Sequence, residues 1–138
     1  MKPKITVITL GVNDLRKSFA FYKEGMGFPS KDGIQGDGDL QIAFFQLEGT
    51  WLSLFEKEKL AKDGNTKNDG TGFPGFSLGH MVKTPQEVDQ IIAQAVTAGA
   101  TVSDPPHRRD WGGYSGYIKD LDGYYWEIAF MDNPFPNV

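Results

Sequence analysis

Cysteine is absent from the 138 residues, which excludes disulfides, Fe–S clusters and thiol catalysis. Histidine is scarce: the chain has only two, His80 and His107, and they form no paired-histidine metal motif. There is also no glycine-rich phosphate loop and no nucleophile elbow. No stretch approaches the roughly 20 apolar residues that span a bilayer. The opening MKPKITVITLGVNDL has too short and too interrupted an apolar run for a signal peptide, so a cytoplasmic location with no membrane partner is expected. A basic excess is missing too. The net charge is −4, and the Lys and Arg residues are interspersed with acids, which argues against a nucleic-acid partner. What is present is a hydrophobic content of 39% with 13% aromatics, enough for a packed interior in one compact domain.

Residues 5–12 (ITVITLGV) are β-branched and apolar and predict a strand. Asn13 or Asp14 is placed to cap a helix in which Leu15, Phe19, Tyr22 and Met26 recur at helical spacing, stopped by Gly25 and Gly27. Residues 31–39 (KDGIQGDGD) read as a polar loop, and residues 40–47 and 51–55 as strands joined by a tight hairpin at Glu48-Gly49. The charged, glycine-rich residues 58–75 read as a connector with at most one helical turn. Beyond it the plan recurs. Residues 76–82 predict a strand, and Thr84-Pro85-Gln86-Glu87 opens a helix with a capping box. Val88, Ile91, Ile92, Ala95 and Val96 form its expected buried face, and Gly99 ends it. A short strand at 100–102, a Pro-Pro loop, and strands at 114–119 and 124–130 around Asp122-Gly123 complete the chain.

The two halves align with each other. Leu47-Glu48-Gly49 lies over Leu121-Asp122-Gly123, which puts Trp51-Leu52-Ser53-Leu54 on Tyr125-Trp126-Glu127-Ile128. Val12 over Val82 puts Val7 on Ser77 and brings both helix starts into register. In the third strands the same comparison equates Phe45 with Lys119 and Ala43 with Tyr117. The reading is an α+β chain of two βαβββ modules, residues 1–57 and 76–138, joined by 58–75.

With VNDLRKSFAFYKEGMGF at 12–28 and GGYSGYIKDLDGYYWEIAF at 112–130, the chain resembles the vicinal oxygen chelate superfamily over about residues 4–131. That superfamily includes glyoxalase I, bleomycin-resistance proteins, fosfomycin-resistance enzymes and extradiol dioxygenases. The resemblance implies one glyoxalase-like domain with curved mixed sheets forming a funnel, helices outside, and ligands on the concave face. It implies common pairing as homodimers. It also implies, for metal-dependent members, four ligands on the first and last strands of each half, positions held here by Val7, Ser53, Ser77 and Glu127. Valine does not coordinate, and serine is a poor donor beside His or carboxylate, so no metal site and no cofactor are expected. His80 follows Ser77 by an odd offset. It therefore belongs to the opposite, helix-packed face unless a bulge turns it inward.

By strand parity Trp51, Ser53 and Phe55 share a face, as do Tyr125 and Glu127. Together with Ser77, Tyr117 and Trp111, with Tyr114 beside it at the rim, they outline an aromatic-walled ligand site in which Glu127 is the one candidate for proton transfer. Arg108, Arg109 and His107 read as loop residues, with the arginines able to meet an anion, and Asp120 and Asp122 as turn formers. Three functions remain open. One is metal-free binding of a small aromatic or amphipathic molecule, as in bleomycin-resistance proteins. A second is an enzyme of lyase, isomerase or dioxygenase type using Glu127 or an atypical metal site. The third is an interaction module without a small ligand. Whether any reaction is catalysed stays undecided at this level. The apolar Phe135 between Pro134 and Pro136 adds to the expectation of a homodimer.

Overall fold

Alternation of apolar and polar residues in each strand run leaves one sheet face for helices to cover, and this sets the architecture of both halves. The computed structural model describes residues 1–38 and 40–132; the expected tail anchor, Phe135, lies outside these residues. The chain divides into two units, Met1–Gly70 and Thr71–Val138, a division that falls within the expected connector.

In the first unit, β1 (Val7–Val12) leads into α1 (Leu15–Ala20), where Asp14 is the cap and accepts the backbone N–H of Lys17. The helix then widens into one π-helical turn (Phe21–Gly25). Strands β2 (Ile34–Gln35), β3 (Ile42–Phe45) and β4 (Trp51–Glu56) complete a four-stranded sheet in the order β1-β4-β3-β2. β1 and β4 are parallel and the other pairs antiparallel. One face is the core: Leu10, Val12, Ala43, Phe45, Leu52 and Leu54 are buried. Phe45 stacks with Phe19 at 5.5 Å and touches Tyr22 at 5.9 Å, which fixes the helix on this face. The connector carries a helix longer than one turn, α2 (Lys57–Asp63). It packs over the other face of the sheet at its Gly11 end, where an added Cβ would come within 3.0 Å of the Lys57 side chain.

The second unit repeats the plan with β5 (Ser77–Val82), α3 (Pro85–Ala98), β6 (Thr101–Arg108), β7 (Tyr114–Lys119) and β8 (Tyr125–Phe130), in sheet order β5-β8-β7-β6. Thr84 and Glu87 form the full capping box, and Gly99 closes α3 at a φ of 115° that glycine adopts without strain. Val88, Ile92 and Ala95 are buried on the sheet, whereas Val96, expected to join them, is exposed. The β7–β8 hairpin turns at Asp120, whose carboxylate accepts the N–H groups of Asp122 and Tyr124, both at 2.9 Å. This is the turn chemistry its sequence implied.

Three local readings need correction. The loop at 31–39 contains the short edge strand β2. The Pro-Pro loop is part of β6, and the strand holds Pro105 and Pro106 because it is the sheet edge and breaks register twice, between Val102 and Asp104 and between Asp104 and His107. A proline without an N–H is tolerated at an edge or bulge. The third-strand equivalence is displaced by one residue. Phe44 opposes Ser53 as Tyr117 opposes Glu127, so Phe44 corresponds to Tyr117 and the buried Phe45 to Ile118. A one-residue slip exchanges the faces of a strand, which is why Ala43 and Phe45 lie in the core.

The Glu127 face as candidate functional site

The parallel registers place the repeat-matched residues as their alignment demands. Val7 opposes Trp51 and Ser77 opposes Tyr125, so the pairs correspond across the two modules. Two residues further on, Thr9 opposes Ser53 and Gly79 opposes Glu127. In the first module this gives a hydroxyl pair, Thr9 Oγ1 and Ser53 Oγ at 2.6 Å, with Ser53 fully buried. Trp51 lies on the same face, 43% exposed, with its ring 6.4 Å from that of Phe44. Phe55 shares the face but sits opposite Gly11, at the end that α2 covers.

In the second module the same face carries a connected polar group. Ser115, fully buried, donates to Glu127 Oε1 at 3.0 Å and accepts from Arg109 Nε at 2.8 Å. Arg109 Nη2 donates to Asp104 Oδ2 at 2.7 Å and to the Ser115 carbonyl at 3.1 Å. His107 Nε2 reaches the same Asp104 oxygen at 3.1 Å. Tyr117 stands directly opposite Glu127, and the Arg109 guanidinium lies 5.7 Å from the centre of the Tyr117 ring. Burial pushes the Tyr117 phenol up, with the Glu127 charge adding to the effect, so Tyr117 stays a proton donor at neutral pH. Asp104 moves the other way: the hydrogen bonds from Arg109 and then His107 hold its carboxyl below the ordinary 3.8.

The bulges of β6 build this group. They set Asp104 opposite Tyr117 and His107 opposite Ser115, and the turn after β6, closed by Arg109 N–H to the Gly113 carbonyl at 2.9 Å, folds the guanidinium back onto Ser115. Arg109, read as a loop charge, is thus a half-buried member of the network, and the fully buried Ser115, which sequence reasoning passed over, is another. The signal available for Ser115 was its even spacing from Tyr117.

The remaining expected residues divide. Tyr125 shares the face with Glu127, its ring 5.1 Å from that of Phe73 and under Lys119. Ser77 stands beside it, exposed. Trp111 is 51% exposed and lies against Gly113 in the turn after β6. Tyr114 is not at a rim on this face: it turns to the helix side, where its hydroxyl donates to Asp89 of α3 at 2.7 Å. His80 opposes Ile128 on the helix-packed face, as parity required. Partial desolvation there lowers its pKa, with the Glu87 charge opposing the shift.

The donor chemistry does not fit a divalent ion. Of Val7, Ser53, Ser77 and Glu127, one side chain is a strong donor, and its Oε1 already accepts from Ser115. Ser53 is engaged with Thr9. Among the described residues, no three His, Cys, Asp or Glu side chains gather to hold a metal.

Comparison with known proteins agrees with this geometry. The Bacillus subtilis (strain 168) protein YraH is 28% identical over 132 residues, covering 93% of this chain and 98% of YraH. The crystal structure of a glyoxalase-related enzyme from Fulvimarina pelagi superposes with a TM-score of 0.80 at 34% identity, covering 94% of this chain and 88% of that one. The fosfomycin resistance protein FosX from Listeria monocytogenes, at 21% identity and a TM-score of 0.70, covering 95% of each chain, shares the fold. Residues 4–128 match the Glyoxalase/Bleomycin resistance protein/Dioxygenase superfamily, and the chain is a member of it.

Proposed function

We propose that this protein binds a small aromatic or amphipathic molecule without a metal, on the face that carries Glu127. The observation that carries the reading is the environment of that carboxylate. It is half-buried, held by Ser115 with Tyr117 opposite, and flanked on its other side by Gly79, where an added Cβ would meet nothing within 4 Å. A rigid polar anchor among Tyr117 and Tyr125 with open space beside it is the usual make-up of a small-molecule site. Taken by itself, the first module carries an aromatic pair, Trp51 and Phe44, on the face that holds the Thr9–Ser53 hydroxyls. Assembly as a homodimer and a cytoplasmic location are part of the same proposal; no helix among the described residues is long and apolar enough to cross a membrane.

A second reading, an enzyme with Glu127 as acid/base, is favoured by the Tyr117 phenol opposite that carboxylate, since a phenol and a carboxylate side by side can hold and pass a proton. The relative from Fulvimarina pelagi, named a glyoxalase-related enzyme, points the same way. A thermal-shift screen of aromatic compounds and divalent metals separates the readings. Stabilisation by aromatic compounds alone supports metal-free binding, stabilisation that requires a metal supports the second, and no response to either class contradicts both.

A further inference from the structure

Two opposite charges on the Glu127 face stand close together without pairing, and what they imply about the ligand rests on the binding role proposed above. Lys119 opposes Tyr125, and Glu127 lies two residues further along β8 on the same face. Diagonal neighbours of this kind are about 7–8 Å apart at the backbone, within reach of a lysine and a glutamate. Among the described residues the two form no ion pair with each other or with any other charge. Lys119 Nζ lies instead over the Tyr125 ring, 5.9 Å from its centre. Glu127 accepts from a neutral hydroxyl, that of Ser115, and faces the neutral phenol of Tyr117 across the strand pair. The other charges nearby are already matched, since Arg109 and Asp104 meet at 2.7 Å and His107 adds to the same carboxylate. Along the β5 side the residues opposite Tyr125 and Glu127 are Ser77 and Gly79; Phe73 meets the Tyr125 ring edge-on at 5.1 Å, and an added Cβ at Gly79, beside Glu127, would meet nothing within 4 Å.

We infer that the ligand is dipolar: an aromatic ring that stacks at Tyr125, with a cationic amine that meets Glu127 and an anionic group that meets Lys119. Each charge on the face is held in place by its own neighbour, so neither has to leave a salt bridge to meet a ligand. A ligand of the matching polarity gains two charge-assisted contacts, whereas a singly charged one gains one and leaves the other charge facing it unmatched.

The test uses four related probes on the intact protein: 4-(aminomethyl)benzoate, whose two charges stand at opposite ends of one ring, with benzoate, benzylamine and toluene. Affinities are measured by chemical-shift titration. The dipolar probe is expected to bind at least about tenfold more tightly than any of the other three, the gain of one further charged contact. In Glu127→Gln its affinity falls to the level of benzoate, and in Lys119→Met to the level of benzylamine, with near-UV circular dichroism verifying that both variants are folded. Equal binding of the four probes, or a preference that survives both substitutions, overturns the dipolar ligand while leaving metal-free aromatic binding standing. Binding of none of the four overturns the inference, and if the wider aromatic screen is also silent the binding role falls with it. The comparison of probes on the unaltered protein stands on its own if either variant fails to fold.

Discussion

Ser115 has no water to turn to: it is fully buried, and its hydroxyl spends its donor on Glu127 and its acceptor on Arg109. Replacing it by alanine leaves a carboxylate and a guanidinium each short of a hydrogen bond, a loss expected to cost about 1–3 kcal/mol. Urea unfolding of Ser115→Ala measures this, and an unchanged midpoint and slope would show that the network is not structural. Asp104 makes a prediction in pH. Its folded pKa lies below the ordinary 3.8, so the unfolded chain takes up the proton first as pH falls. The stabilisation is therefore present in full above that ordinary value and is lost as pH drops through the folded one. Melting temperatures of the protein and Asp104→Asn should differ at pH 6, with Asp104→Asn lower, and converge towards pH 2. A gap that does not close on acidification would mean that the Arg109 and His107 contacts do not hold the charge. At this scale the sequence was informative about Glu127, Tyr117 and His80, whose faces follow from parity alone. For Arg109 it offered a loop charge able to meet an anion and no partner, because the partner of a turn residue depends on how the turn folds back.

Elements with strong local signals formed where their residues indicated. The Thr84–Glu87 capping box, the helix it opens and the Asp122-Gly123 hairpin are encoded within a few residues and needed no tertiary information. Strand β6 is the opposite case. Its two prolines read locally as a loop, and only its position at the sheet edge, a property of the whole sheet, lets it pair through two register breaks. Gly116 marks where this irregular strand presses against β7: an added Cβ would lie 2.9 Å from the Pro106 nitrogen, 3.0 Å from the Asp104 carbonyl oxygen and 2.7 Å from Ile92. Two of those contacts are backbone and cannot rotate away. Gly116→Ala should therefore destabilise by about 1–3 kcal/mol through overpacking. It should also shift the amide resonances of Asp104 and Arg109, which β6 and its turn carry. Wild-type stability with unmoved resonances would contradict the close approach.

For the molecule as a whole, the most informative feature of the sequence was its repetition. Aligning the halves equated Val7 with Ser77 and Ser53 with Glu127, and the two parallel registers reproduce both correspondences. The third strands escaped the alignment by one residue because the turns that join them to the last strands differ in length by one, and alternation carries no signal for that offset. The proposed homodimer is checked by sedimentation equilibrium at micromolar concentration, where a species of twice the chain mass is expected and a lone chain would refute it. The central claim, that the Glu127 face works without a metal, rests on a donor set in which Val7, Ser53 and Ser77 offer no strong ligand. Elemental analysis of the protein purified without chelators tests it most directly. The expected result is far less than one equivalent of zinc, nickel, iron or manganese per chain, unchanged in Glu127→Ala. About one equivalent of any of these, lost in Glu127→Ala, would contradict it, since a metal held that firmly needs more than a single carboxylate.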